Sequence, residues 1–327
     1  MTLSARLRRL GLVLTTALPL LSTCGGSPAA PTTTPVIVPT PPPVRLVAIA
    51  SASTGQPLAG ATVTSQGSSA FTDASGQAPL PATSALGSPL DVSAAGFLDR
   101  KTTVQAATHF LWPKTLSSGA NEAYTAHLAY TSTADGAVEG AAPLRRVVPG
   151  FSTVSVYMPP EIRSDAFEKA ATEAIGWINQ ATQGTPQYRL VFEKPAGTQV
   201  IFEFSIDGTP STCGAAIAYF VTSLVSSANP NELYAGNINF CDVKWTRDVS
   251  VIAHELGHSL GLYHSNRRVD LMNPVAVGHQ MFTGEEQLVV FLAKQRRGGN
   301  RYPDTDRERV TASAAAVRAD TLIVCGR

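Results

Sequence analysis

Between residues 44 and 130, hydrophobic and polar side chains alternate in short runs that Gly, Pro, Asp and Ser separate. A period of two residues is typical of strands that are buried on one face. The segments between the runs, such as the one around Gly55 and Pro57, have the composition of turns. We therefore expect a small antiparallel β-sandwich. The residues that the alternation turns inward are Val44, Leu46 and Ala48, then Ala61 and Val63, then Leu90 and Val92.

The turn residues of this region also carry a resemblance. The run from Thr54 to Val63, the pair Thr72-Asp73 with Gly76, and Ala95-Gly96-Phe97 resemble the carboxypeptidase regulatory-like, transthyretin-like modules of secreted proteins. This resemblance implies a spacer or binding module without catalysis.

Beyond residue 150, runs that alternate like strands occur beside segments of helical periodicity. Asp165 and Glu168 have the spacing of a capping box, which predicts a helix that ends near 184–186. Strands and helices in one region favour an α+β domain. The expected elements are strands near 154–158, 188–192, 200–206 and 234–240, and a helix whose buried face carries Phe167, Ala171, Ala174 and Ile178.

A second capping box lies near the end of this region. Thr283 and Glu286 have the required spacing and predict a helix from about 284 to 294. Arg296 and Arg297 at its basic end are expected in solvent, because the helix dipole stabilises cations near a C-terminus.

The first 23 residues have the pattern of an export signal. Arg6, Arg8 and Arg9 precede an apolar stretch at 10–21, which is too short to span a bilayer. The sequence Leu21-Ser22-Thr23-Cys24 resembles the lipobox of bacterial lipoproteins, which implies acylation of Cys24. We expect a protein anchored by lipid in the bacterial cell envelope or at the cell surface, or a secreted one if Cys24 is not acylated.

Composition divides the remainder of the chain. Proline and threonine before residue 44 favour an extended tether, and the Ala/Gly-rich stretch before Pro149 is typical of a linker. The expected organisation is a signal peptide at 1–23, a tether at 24–43, a β-sandwich at 44–130, a linker at 131–149 and a second domain at 150–327.

The charge of the chain is close to balanced. Its formal net charge is +1, and removal of the three arginines of the signal peptide leaves 22 basic and 24 acidic residues, or −2. This balance gives no electrostatic reason to expect nucleic acid as a partner.

Three cysteines remain if Cys24 carries lipid, and they allow one intramolecular disulfide. Cys213 and Cys241 are the first expectation, because closing the loop between them would make the region before residue 254 more rigid. Cys325 could replace either partner.

Residues 254–264 contain the motif H-E-x-x-H-x-x-G-x-x-H without a mismatch. His254 and His258 are four residues apart, so one helical turn places both imidazoles on the same face. Gly261 can adopt the left-handed conformation that ends a helix, and the turn brings His264 back toward the same metal. Three histidines leave one coordination position open, as at catalytic zinc sites. Glu255 is then the candidate general base.

The residues downstream extend this motif. Ser265 follows the third histidine, and Leu271-Met272-Asn273-Pro274 comes a few residues later. With the motif they resemble the metzincin metallopeptidases, most closely the matrixins, over residues 150–303. The resemblance implies a twisted, mostly parallel sheet with an antiparallel edge strand, packed on helices. It also implies that Met272 lies beneath the zinc ligands in a Met-turn.

The resemblance continues upstream, where five residues match the matrixin edge strand that pairs with extended substrate. They are Gly236, Asn237, Ile238, Asn239 and Phe240. The chain departs from the family in three ways. It has few histidines for a second, structural zinc (His109, His127 and His279), it has no counterpart of the latency cysteine, and Asn273 stands where matrixins usually have tyrosine. We therefore expect a single zinc ion.

The motif and the resemblance predict a monomeric zinc endopeptidase that acts on protein or peptide substrates, with Glu255 as general base. The alternative is a surface binding or adhesion lipoprotein whose zinc site is not catalytic. Detection of cleavage products would distinguish the two.

Overall fold

The computed structural model describes residues 45–115, 122–130, 142–197, 199–207, 213, 216–275, 278, 281–306 and 316–325. These residues belong to one compact unit of the chain, which spans 42–327. The predicted signal peptide, the tether and Cys24 lie outside the described residues. No helix in the described ranges is both long and apolar enough to cross a membrane.

Seven short strands form two small sheets around a common core. One sheet has the order β4-β1-β7 and the other β3-β2-β5-β6, and every pair is antiparallel except β1 with β7. The two inner faces contribute Val47, Ile49, Ala61, Val63, Leu90 and Val92 to one hydrophobic core. The strands are β1 (Arg45–Ser51), β2 (Thr62–Ser65), β3 (Ser68–Phe71), β4 (Gln77–Leu80), β5 (Pro89–Ser93), β6 (Arg100–Thr103) and β7 (His109–Leu111).

The face of β1 differs from the prediction. Val47 and Ile49 are buried, whereas Leu46 is 58% exposed. The prediction that Leu46 points inward is therefore wrong. Apolar residues occupy both faces of this strand, and a shift of one residue exchanges the two faces, so the pattern alone cannot fix which is buried.

A second, larger sheet has the order β10-β9-β11-β13-β12-β14, with β8 beside β13. The pairs from β10 to β13 are parallel, while β12 runs antiparallel to both β13 and β14. The strands are β8 (Arg146–Val147), β9 (Thr153–Tyr157), β10 (Gln187–Val191), β11 (Val200–Ile206), β12 (Ala218–Ser226), β13 (Glu232–Phe240) and β14 (Ala316–Cys325).

The predicted edge strand, Gly236 to Phe240, lies inside this sheet. It belongs to β13, which pairs with β11 on one side and β12 on the other. The prediction of an edge position is therefore wrong, because β12 follows β11 in the chain but occupies the place beyond β13. Sequence alternation does not reveal such a reordering of strands.

Four α-helices and two 3₁₀ turns complete the described part of the chain. Helix α2 buries Phe167, Ala171, Ala174 and Ile178, as predicted. Its N-cap, however, is Ser164, whose hydroxyl accepts the amide of Phe167, so the predicted capping role of Asp165 is wrong. The helices are α1 (Glu122–Tyr130), α2 (Asp165–Ala181), α3 (Val249–Ser259) and α4 (Gly284–Lys294), and the 3₁₀ turns are Pro160–Ile162 and Val243–Arg247.

Helix α1 was not indicated by the sequence pattern. Leu128, Ala129 and Tyr130 are buried in the larger hydrophobic core, together with residues of α2, α3 and the larger sheet. The helix thus follows the sandwich strands in the chain but packs with the larger sheet and its helices.

Buried charges join the sandwich to the segment after α4. Arg296 is 1% exposed and forms a two-pronged ion pair with Asp304, with both N···O distances at 2.7 Å. It also donates to the carbonyl of Phe110 in the sandwich, and Arg100 of β6 pairs with Asp306 at 3.1 Å. The expectation that Arg296 is solvated is wrong, because the sandwich covers the end of α4; Arg297 is exposed as expected.

Candidate metal centre

Helix α3 carries the first two histidines of the motif. Asp248 caps its N-terminus by accepting the amides of Ser250 and Val251 at 2.9 and 3.3 Å. Every residue from Ser250 to Ser259 is buried. The helix therefore lies in the protein interior, and the face that carries His254 and His258 is shielded from bulk water.

Gly261 ends the turn that follows α3. Its φ is +87°, in the left-handed region that favours glycine. A Cβ at this position would lie 1.9 Å from the carbonyl oxygen of Arg145, so the chain passes where no side chain fits. This turn directs the following residues toward His264, as the sequence predicted for a glycine here.

The three histidines of the motif converge. Their ligand nitrogens all lie within 4.8 Å of one another, and His254, His258 and His264 are each buried. The imidazole centroids are 5.0 to 5.4 Å apart. This arrangement brings three nitrogen donors to a single point, as a tetrahedral metal requires of three protein ligands.

Two carbonyl groups fix the tautomers of the helical histidines. Nδ1 of His254 lies 2.6 Å from the carbonyl oxygen of Leu271, and Nδ1 of His258 lies 2.8 Å from that of Leu262. A carbonyl oxygen only accepts, so each Nδ1 carries the proton and donates it. Each Nε2 is then left with the lone pair that binds a metal.

The site also favours the neutral imidazole of His258. Burial, and then the proximity of His264 and His254, lowers the pKa of His258 well below its ordinary value. Metals bind the neutral form, so the electrostatics of the site agree with the direction of the hydrogen bonds.

Met272 lies directly beneath α3. It is fully buried, and a Cβ on Gly257 would come 2.3 Å from its sulfur. Gly257 stands between the two helical histidines in the chain, so the methionine packs against the part of the helix that carries the ligands. The structure thus places Met272 against the helical segment between His254 and His258, and its place beneath a bound zinc ion stays a prediction.

The sequence analysis did not predict that Glu286 holds the turn at Leu271 and Met272. Its carboxylate accepts the amides of Met272 at 2.7 Å and Leu271 at 3.1 Å, in addition to its capping bond with Thr283. The carbonyl oxygen of Leu271 in turn accepts the hydrogen bond that Nδ1 of His254 donates. Hydrogen bonds therefore connect α4 to the metal site through Glu286. The capping box predicts that Glu286 bonds with Thr283, but it does not predict the bonds to Leu271 and Met272.

A second buried carboxylate, Asp270, closes the same turn. It accepts the hydroxyls of Ser265, Tyr124 and Thr283, the latter two at 3.0 and 3.1 Å. Tyr124 belongs to α1, so a helix that lies far from Asp270 in the sequence helps to hold this turn. Asn273 also acts within the turn, donating to the carbonyl of Ser265 at 3.1 Å.

Glu255 follows His254 on the buried helix and is 1% exposed. Buried carboxylates are rare in proteins unless a partner or a function requires them. Its place in the chain next to a ligand histidine makes it the acidic group of this site.

The other predicted residues are distributed as follows. Cys213 and Cys241 form a disulfide, so the first of the pairings considered is the one found. Gly236 to Phe240 lie in the inner strand β13. His109 is buried in the sandwich, where burial and the charges of Arg100 and Arg296 lower its pKa to about 4. The side chain of His127 and all of His279 lie outside the described residues.

Comparison with known proteins agrees with the resemblance that the histidine motif carries. Residues 160–286, which contain all three histidines, match the matrixin family. A segment of the chain is 46% identical over 61 residues to stromelysin-1 from Mus musculus, and 45% identical over 60 residues to stromelysin-2 from Rattus norvegicus. Each match covers 16% of this chain and 13% of the relative.

Proposed function

We propose that this protein is a zinc-dependent endopeptidase that hydrolyses peptide bonds in extended protein segments. One zinc ion would be held by His254, His258 and His264. The observation that carries the proposal is the convergence of their ligand nitrogens within 4.8 Å, inside the segment that matches the matrixins. Three neutral imidazoles are a donor set that suits zinc and leaves room for a substrate.

When bound, the zinc ion supplies a Lewis acid that polarises a substrate carbonyl and lowers the pKa of water at the site. The remaining task belongs to Glu255. Its carboxylate accepts a proton from the attacking water and returns it to the amide nitrogen as the C–N bond breaks, so the amine leaves without negative charge. The hydrogen bonds of His254 and His258 to carbonyl groups hold both imidazoles in the ligand orientation throughout.

The proposal is tested with the purified full chain and an unstructured protein such as casein. We expect cleavage that stops with a chelator and returns with added zinc. Zinc content, measured by mass spectrometry, should be one ion per chain. A chain that binds zinc and captures peptides stoichiometrically, without cleavage products across a broad peptide library, would instead support a binding or adhesion protein.

The role of Glu255 has its own test. Glu255→Gln should keep the zinc but lose about 100-fold or more in kcat/KM, the usual contribution of a general base. Glu173→Gln changes an exposed glutamate of α2 and serves as the matched control. Full activity of Glu255→Gln would remove Glu255 from the mechanism.

We also propose that the protein is exported and anchored by lipid at Cys24. The support is the lipobox-like sequence before this residue. Labelled palmitate should be incorporated by bacteria that express the full chain, and Cys24→Ser should abolish the incorporation. Equal labelling of both proteins would contradict the anchor.

A further inference from the structure

A cavity of about 280 Å³ lies away from the three histidines. It is bounded by β8 and the residues after it, by the loop after α2, and by the last turn of α4. It meets α3 only at Leu260, the residue after its C-terminus. Its volume is near the lower limit of small-molecule sites, so it suits a small ligand.

Most of the cavity wall is apolar. A ligand with an apolar body would displace water from this wall and would be stabilised by the apolar surface that it buries there. The apolar residues of the wall include Val148, Phe151, Pro186, Leu260, Val290 and Ala293.

Two cations line the same cavity. Lys294 donates one N–H to the carbonyl of Thr182 at 2.7 Å, and an ammonium group has two more to offer. Arg146 donates to the carbonyl of Arg296 at the end of α4. Neither cation is in an ion pair with any carboxylate of the described residues.

The two charges disfavour each other. Burial lowers the pKa of Lys294, and the charge of Arg146 lowers it further. Burial also lowers the pKa of Arg146, although the carboxylate of Glu232 opposes this. An anion between the two cations would relieve their repulsion, and the interaction would be strengthened by the low dielectric of the wall.

We propose that this cavity binds a small carboxylate with an apolar body, such as a medium-chain or aromatic acid. Its carboxylate would face Lys294 and Arg146, and its body would lie on the apolar wall. The inference does not depend on the proposed peptidase activity, because it concerns other residues.

The test is calorimetric titration of the full chain with octanoate, with octanol and acetate as comparisons. We expect octanoate to bind more tightly than both, with or without a chelator. Lys294→Gln keeps a donor for Thr182 but should weaken octanoate about tenfold or more. Lys294→Arg should retain binding, and Lys169→Gln, an exposed lysine of α2, should have no effect.

Three results would overturn the proposal. Octanol could bind as well as octanoate, Lys294→Gln could bind as well as the unaltered chain, or the binding could disappear with the chelator. The last result would assign octanoate to the metal centre. If Lys294→Gln does not fold, octanoate binding is measured with Val290→Gln, which makes the wall polar. A loss of octanoate binding would support the proposal, and unchanged binding would contradict it.

A separate observation concerns the strand β14. Strand β12 of the larger sheet packs against α3, and the ring centroid of Phe220 in this strand lies 6.4 Å from that of His258. On its other side β12 pairs antiparallel with β14, from Ala218 opposite Cys325 to Ser226 opposite Ala316. The chain's own C-terminal strand thus covers the whole length of β12.

The edge of a sheet pairs with an extended peptide through main-chain groups, whatever the peptide's sequence. On the proposed function, the edge beside the metal centre is where a substrate would pair. We infer that β14 occupies this edge in place of substrate and restrains hydrolysis until it is displaced.

Two proline variants of the full chain test this inference. In an antiparallel pair, neighbouring residues direct their N–H groups alternately toward the partner strand and away from it. Leu322→Pro and Ile323→Pro should therefore differ: one breaks the pairing with β12, and the other is tolerated as an internal control. The variant with broken pairing should show a several-fold higher kcat/KM and should bind a labelled peptide of residues 316–325.

The unaltered chain should not bind that peptide. If neither variant gains activity or peptide binding, the inference about β14 is wrong while the peptidase stands. If no chain cleaves any substrate, the proposed function fails, and peptide binding to one proline variant alone still decides whether β14 covers a displaceable edge.

Discussion

The sulfur of Met272 lies so close to Gly257 that a methyl group on the glycine would come within 2.3 Å of it. Gly257→Ala should therefore displace Met272 from the helical segment between His254 and His258, at a cost typical of overpacking, about 1–3 kcal/mol. We expect a lower unfolding temperature and weaker zinc retention in a competition with a chelator. Gly176→Ala is the matched control, because this helical glycine of α2 has open space around it. It should stabilise the protein by about 0.5–1 kcal/mol. Equal effects of both variants would contradict the packing argument.

Gly261 combines a left-handed conformation with a close contact. Gly261→Ala should lower the free energy of unfolding and the affinity for zinc together, because the new Cβ would overlap the carbonyl of Arg145 and move the approach to His264. Gly184 shares the positive φ, at +69°, but has open space. Gly184→Ala should lower the free energy of unfolding by only about 1–2 kcal/mol, because it adds the strain of a left-handed conformation without a steric overlap. Urea unfolding of both variants measures the difference.

Glu286 should give the protein a pH-dependent stability. Burial raises its pKa to about 7 from an ordinary 4.5, against the backbone bonds that lower it. The folded state therefore holds this proton more tightly than the unfolded state. The resulting stabilisation is present below about pH 4.5 and is lost as the pH rises through about 7. The groups that face it include Asp270 and Tyr124.

Glu286→Gln should remove this dependence. The unfolding temperature of the unaltered chain, relative to that of Glu286→Gln, should fall between pH 5 and pH 7. Glu285→Gln, at the neighbouring and more exposed position, should leave the slope unchanged. Parallel curves for Glu286→Gln and the unaltered chain would contradict the prediction.

The ion pair of Arg296 and Asp304 should be costly to break from one side. Arg296→Met leaves the carboxylate of Asp304 buried, and such a loss costs about 3–5 kcal/mol. Arg297→Met changes the exposed neighbour and should cost little. The double variant Arg296→Met with Asp304→Leu should be more stable than the sum of the single changes, measured by chemical denaturation. Additive effects would mean that the two charges do not interact.

Local signals predicted much of this structure. The capping box of Thr283 and Glu286, the buried face of α2 and the convergence of the three histidines all depend on residues close in sequence, where spacing fixes geometry. The site was therefore predictable in its ligands. Its supports were less so, because Asp270, Glu286 and Tyr124 meet only after distant segments pack together.

The errors have the same physical origin. The position of β13 inside the sheet depends on the order of strands, and the burial of Arg296 depends on the sandwich that covers it. Leu46 faces outward because both faces of β1 are apolar and packing makes the choice. None of these is determined by the residues within a single element.

Helix α1 has a practical consequence for anyone who would isolate the part that matches the matrixins. That part begins at residue 160, yet Leu128 accepts the amide of Tyr263, and Tyr124 bonds with Asp270. A fragment that begins at residue 160 would thus lack two hydrogen bonds that hold the segment around the third histidine. Homology marks the shared ancestry of a segment here, whereas the unit to express and purify starts earlier in the chain.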